Sequence, residues 1–178
     1  TVEHALGVIA LAKKEKPDVI IALGGGSAID EAKFVGIAAG YGGDPWDFAA
    51  GKAPITSTIP LIAVVTIPAT SSELNGTSVM SYEKIQRKEG FANPLMRPRY
   101  AVLDPELTLS IPIRQTAYSA ADIVSHLLEA YLGHGLDWAP FQDHYCQACI
   151  RTIMECMDRL LADPRDKEAR AQMMWTAS

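Results

Sequence analysis

Apolar positions recur along the 178-residue chain in two rhythms, and the change from one to the other falls near Glu106. Val2, Leu6, Ile9 and Ala10 keep helical spacing and lead into Lys13-Lys14-Glu15-Lys16, where Pro17 stops the helix. Val19-Ile20-Ile21-Ala22-Leu23 is short, continuous and rich in β-branched residues, which predicts an interior strand of a parallel sheet. After Gly24-Gly25-Gly26 the spacing of Ala28, Ala32, Val35 and Ala39 predicts a helix from about Ser27. Residues 44–60, rich in Gly and Pro, read as a surface connection, and Leu61-Ile62-Ala63-Val64-Val65 as a second buried strand. Strand, helix and strand in this order make a βαβ unit, the building block of a doubly wound fold. Residues 79–82 and 86–91 alternate like the arms of a hairpin, and Tyr100-Ala101-Val102-Leu103 predicts a further strand. Beyond Asp104-Pro105 only helical spacing remains, including a long stretch over residues 113–132. The expectation is an α/β parallel-sheet domain over residues 1–106, followed by an all-α domain over 107–178.

Three stretches carry candidate chemistry. Glycines at a strand-to-helix turn let a ligand approach the backbone, and the helix start adds unpaired N–H groups and a positive dipole end. Gly25, Gly26 and Ser27 therefore suit a phosphate or pyrophosphate, with Ser27 either capping the helix or bonding a phosphate oxygen. A tight βα turn without a ligand has the same composition, and the string is neither Gly-x-Gly-x-x-Gly nor a Walker motif. Thr66-Ile67-Pro68-Ala69-Thr70-Ser71-Ser72-Glu73-Leu74-Asn75 follows the second strand, and ligands of open α/β sheets sit beyond the carboxyl ends of strands. A hydroxyl-rich turn bonding its own backbone would read the same way. Asp122 and His126, four residues apart, are neighbours on one helical face and could share a divalent cation or simply a hydrogen bond.

Composition narrows the field. At 48% hydrophobic and 21% charged the chain can build a core, and its net charge of −5 argues against a nucleic-acid surface. The apolar run over residues 59–69 contains two prolines and is too short to span a bilayer. No signal peptide is visible, and three cysteines, an odd number, suit a reducing compartment, so a cytoplasmic protein is expected. Cys146, Cys149 and Cys156 fall on one side of a helix and read as small buried residues, since no second pair completes a zinc site. His4, His134 and His144 are the other histidines that could be offered as a third metal ligand, against the commoner reading of solvated or capping residues.

The strings themselves resemble a family. Gly-Gly-Gly-Ser-x-x-Asp-x-Ala-Lys, ending at Lys33, resembles the cofactor signature of the iron-containing (group III) alcohol dehydrogenases, in particular the butanol-dehydrogenase-like branch. The segment from Thr66 is similar to that family's Thr-x-Pro-Ala-Thr-Gly-Ser-Glu-x-Asn, with Ser71 in place of a Gly that can serve a positive φ. Asp122-x-x-x-His126-x-x-Glu129-x-Tyr131 is similar to its first pair of metal ligands. The resemblance covers essentially the whole chain, and it implies a Rossmann-like nucleotide-binding domain followed by the start of a helical metal-binding domain. It implies NAD or NADP held by Gly25, Gly26, Ser27, Asp30, Thr66, Asn75 and Lys88, and Fe²⁺ or Zn²⁺ on Asp122 and His126. The implied reaction is reversible oxidation of a small alcohol to an aldehyde or ketone, in a cleft between the two domains.

The same resemblance implies that a first βαβ region and two further histidine ligands are absent from this chain, so that the fragment alone is expected to be inactive. A glycerol-dehydrogenase-like or dehydroquinate-synthase-like enzyme, or a nucleotide-binding fragment without catalysis, are the alternatives. Assembly into a homo-oligomer is left open.

Overall fold

Thr1 opens the first helix, α1 (Val2–Glu15), by accepting the His4 N–H on its side chain, and Lys16 closes it in the left-handed region with φ 50°. The computed structural model describes every residue except His134, Leu136 and Asp137, so the His134 proposal lies outside the described residues. Two units are evident, one of Thr1–Val65 with Ser72–Val102, the other of Thr66–Ser71 with Leu103–Ser178.

In the first unit α1 is followed by β1 (Ile20–Gly25), α2 (Gly26–Ala38) and a short helix, α3 (Trp46–Ala49). Then come β2 (Leu61–Ile67), β3 (Thr77–Tyr82), β4 (Arg87–Ala92) and β5 (Tyr100–Val102). The main sheet has the order β1-β2-β5, with β2 and β5 parallel and Ala63 opposite Ala101. β2 is the central strand, and Leu61, Ala63 and Val65 are buried in alternation. An interior position is expected for β1; among the described residues it stands at one end of the three-stranded sheet, with Ile21 64% and Leu23 65% exposed beside an apolar groove of about 540 Å³. An apolar run states that a strand can be buried, whereas sheet order is a long-range property.

Burial faces shift in the same way. On α1 the core side is Val2, Ala5, Ile9 and Ala12, while Leu6 and Ala10 turn outward. On α2 it is Ile29, Lys33 and residues 34–38, while Ala28 is exposed. Residues 44–60 are more than a surface connection: α3 sends Phe48 into the core against Tyr41, with ring centroids 4.7 Å apart, and Trp46 packs on Tyr82. β3 and β4 form the expected antiparallel hairpin, Ser81 opposite Lys88, turned by Gln86 at φ 52°.

The second unit is helical: α4 (Ile113–Gly133), α5 (Pro140–Ala162) and α6 (Lys167–Ala177). Its core joins Ala120 and Ile123 of α4 to Ile153, Cys156 and Leu160 of α5 and to Met173 of α6. Arg170, 3% exposed, donates to the Pro164 and Ile111 carbonyls and ties α6 to the segments before it. No helix among the described residues is long and apolar enough to cross a membrane.

Candidate functional site

The glycine turn is where β1 passes into α2. Gly25 is the N-cap, with φ −86° and ψ −172°, and no side chain caps the helix, so the capping role considered for Ser27 is not the one it takes. Ser27 is exposed, and Gly25 and Gly26 are half-buried. A Cβ on Gly24 would lie 2.6 Å from the Ala28 Cβ, so the glycine is what allows strand and helix to meet this closely. An uncapped helix N-terminus with its N–H groups at the surface fits a pyrophosphate.

One turn into α2 the side chains are committed to the protein. Asp30 accepts from Ser72 Oγ at 2.5 Å and from the Val79 N–H at 3.0 Å. Lys33, 1% exposed, donates to Ser72 Oγ at 2.8 Å, Asn75 Oδ1 at 3.0 Å and the Thr77 carbonyl at 2.7 Å, and lies 3.6 Å from Asp30. Burial pushes its pKa down from 10.5 to about 8, against the attraction of Asp30 and Glu73. Asn75 Oδ1 also receives the Thr77 N–H at 2.9 Å. Of the residues expected to touch a cofactor, Asp30 and Asn75 thus have carboxylate and amide oxygens bonded inside the unit. Lys88 stands exposed on β4, and Thr66 is half-buried near the end of β2.

Lys33 ends the glycine-turn signature, yet the sequence reading assigned it no role of its own. Its signal was available, because Ile29, Lys33 and Ile37 are spaced four apart and place a cation on the apolar stripe of α2.

In the helical unit, Asp122 and His126 project from α4 one turn apart. His126 Nε2 is 4.0 Å from Asp122 Oδ1, and each side chain is 46% exposed. His126 Nδ1 lies 3.4 Å from the Ala69 carbonyl, a partner that favours the proton on Nδ1 and leaves the Nε2 lone pair outward. A neutral imidazole nitrogen and a carboxylate oxygen are a donor set that fits Fe²⁺ or Zn²⁺. Beside them is a cavity of about 260 Å³, lined among others by Ala69, Ser71, Ile123, His126 and Leu127. The loop that forms one wall is held by Ser119, which donates to the Pro68 carbonyl, and by Ser71 Oγ, which donates to the Ser178 carbonyl at 3.2 Å. Ser71 has φ 52°, the left-handed conformation for which a glycine is the easy residue.

Among the described residues no third His, Cys, Asp or Glu joins Asp122 and His126. His4 is instead 2.5 Å from Glu31 through Nδ1, and His144 is exposed on α5. The three cysteines are free: Cys146 and Cys156 are buried, Cys149 half-buried, and burial raises the Cys156 pKa, as suits packing residues.

Comparison with known proteins points one way. Residues 1–105 match the family model described as iron-containing alcohol dehydrogenase, and residues 116–178 match that of the Fe-containing alcohol dehydrogenase family, C-terminal. The chain is 36% identical over 170 residues to NADH-dependent butanol dehydrogenase A of Clostridium acetobutylicum, covering 96% of this chain and 43% of that protein. It is 35% identical over 179 residues to the NADPH-dependent aldehyde reductase YqhD of Escherichia coli, covering 99% and 46%. The crystal structure of NADH-dependent butanol dehydrogenase A from Thermotoga maritima matches with a TM-score of 0.94 at 37% identity, over 99% of this chain and 44% of that one. The chain thus spans less than half the length of these relatives.

Proposed function

The chain belongs to the iron-containing alcohol dehydrogenase family, and from that premise we propose that it is part of a metal-dependent, NAD(P)-linked alcohol dehydrogenase or aldehyde reductase acting on a small alcohol or aldehyde. The observation that carries the reading is the pose of His126, whose Nδ1 faces the Ala69 carbonyl while Nε2 points toward Asp122. Gly25, Gly26 and Ser27 would hold the pyrophosphate, with Asp30, Thr66, Asn75 and Lys88 as the further cofactor residues; Asp122 and His126 would hold the metal. When bound, the cation supplies Lewis acidity toward a substrate oxygen and the nicotinamide supplies the hydride acceptor or donor.

The chain's own residues set the conditions for that chemistry. The uncapped N-terminus of α2 presents N–H groups to an anion, and Gly24 keeps the helix close to the strand that aims it. The Ala69 carbonyl fixes the ring of His126, so Nε2 is directed without a further rearrangement. Ile123 and Leu127 line the cavity with apolar surface, which suits an alkyl chain.

Among the described residues two donors are brought together, fewer than the three protein ligands that catalytic metal sites generally use. We therefore propose that the chain alone binds dinucleotide without appreciable turnover. Residues 1–106 are assigned to the cofactor and residues 107–178 to the metal, and three free cysteines support a cytoplasmic location. The test is paired: dinucleotide binding by fluorescence, and metal content with aldehyde reduction by the complete protein. Turnover that survives removal of all divalent metal would refute the reading.

A further inference from the structure

We propose that Lys33 is a positioning residue for the dinucleotide, a buried clamp that fixes the segment from Ser72 to Thr77 against the glycine-turn helix so that both cofactor segments form one rigid cradle. This rests on the cofactor reading above and adds a residue that makes no contact with the cofactor itself. A lysine side chain is seldom buried completely, since its charge must be compensated and its rotamers frozen. Here the ammonium serves three acceptors on the loop, Ser72 Oγ, Asn75 Oδ1 and the Thr77 carbonyl, which use its three N–H donors.

Asp30 completes the clamp from the other side. It accepts the Ser72 hydroxyl with Oδ1 and the Val79 N–H with Oδ2, and the Asp30 carbonyl accepts the Ser78 hydroxyl. One turn of α2 therefore holds five residues along 72–79: Ser72, Asn75, Thr77, Ser78 and Val79. Two of the expected cofactor residues, Asp30 and Asn75, are members of this network, so a loosened clamp displaces them together.

The surroundings isolate Lys33 as the group whose proton matters. The charged groups facing it are Asp30 on its own helix and Glu73 on the loop. β1 carries no titratable side chain, and the one on β3, Tyr82, packs on Trp46. On α1, Glu3 accepts the Lys84 N–H and His4 pairs with Glu31. Desolvation has brought the ammonium to a pKa of about 8, so it loses a proton within an accessible pH range. Neutral Lys33 has two N–H groups for three acceptors, and the clamp then leaves one unserved.

The experiment compares wild type, Lys33→Met and Ser72→Ala in the complete protein. It reads dinucleotide Kd by fluorescence, thermal stability, and bound metal. Lys33→Met keeps length and volume, removes a desolvated charge, and is expected to leave Tm unchanged or raised. Its dinucleotide Kd is expected to rise about tenfold or more through lost positioning. Ser72→Ala, a milder cut in the same clamp, is expected to raise Kd about threefold. Wild-type affinity falls as pH rises through about 8, while that of the Lys33→Met variant stays flat over the same range. A merely structural lysine predicts that Tm and affinity fall together, and that result overturns the proposal. So does a Kd within about twofold of wild type in both variants, the resolution at which a lost hydrogen bond still registers. Wild-type protein that binds no dinucleotide at all overturns the cofactor reading, and this one with it. Should Lys33→Met fail to fold, the Ser72→Ala affinity and the wild-type pH profile decide.

Discussion

Lys33 and His126 are both basic side chains one helical turn beyond an aspartate, yet they sit under opposite physical conditions. Lys33 is 3.6 Å from Asp30 with its side chain fully buried, and its three donors are bonded within the protein. His126 is 4.0 Å from Asp122 with both side chains 46% exposed, and His126 lines a cavity of about 260 Å³. Spacing alone puts both pairs on one helical face. What separates them is how much each has already been satisfied: a saturated pair holds structure, and a half-exposed pair with an outward lone pair can take a ligand.

The sharpest way to break that contrast is at the open pair. Asp122→Asn or His126→Ala in the complete protein is expected to lower metal content and turnover together, on the order of 100-fold or more, with dinucleotide Kd nearly unchanged. If the pair were only a surface hydrogen bond, both variants would keep metal and turnover and lose about 1 kcal/mol of stability at most.

The buried pair makes the opposite prediction, in stability. Lys33 has a folded-state pKa of about 8 against 10.5 in the unfolded chain, so the unfolded state holds the proton more tightly. Stability should therefore rise as pH increases from about 8 toward 10.5, and wild type should gain on the Lys33→Met variant by on the order of 2–3 kcal/mol across that window. Urea melts of the two proteins at several pH values measure the difference. A constant gap would mean that Lys33 is not desolvated as its burial indicates.

Two glycines of one turn can be set against each other next. Gly24→Ala drives a Cβ to 2.6 Å from Ala28 and is expected to cost about 1–3 kcal/mol of stability. Gly26→Val, at the start of α2, is expected to weaken dinucleotide binding while the fold survives. Melting curves and cofactor titrations on both variants show whether packing and binding separate in this way. The smallest effect is expected at the open site's loop. Ser71→Gly relieves φ 52° but loses the bond to the Ser178 carbonyl and adds unfolded-state entropy, for a net change within about 1 kcal/mol.

Much of this was legible in the chain. The runs at Leu61 and Tyr100, the hairpin, the helix after the glycines and the absence of strands past Asp104 among the described residues follow from local periodicity, and they hold in the structure. The Asp122–His126 pair was visible for the same reason, since four residues make one turn of helix whatever surrounds it. The departure at Ser71 put the backbone shape of its loop in question, and Ser71 takes the left-handed conformation all the same.

What local pattern could not supply were the relations that close over long stretches of chain. That Phe48 of a Gly/Pro-rich connection reaches the core and that Leu6 turns outward are decided by which elements pack together. Lys33 is the clearest case. Its spacing placed a cation on an apolar stripe, but its acceptors lie 39–44 residues away, and only the folded chain brings them within 3 Å. Periodicity is fixed by backbone geometry within one turn or one pleat, so sequence alone determines it. A charge's partners are fixed by desolvation and the acceptors that tertiary packing delivers, so an aspartate three or four residues before a base became a buried clamp in one helix and an open donor pair in the other.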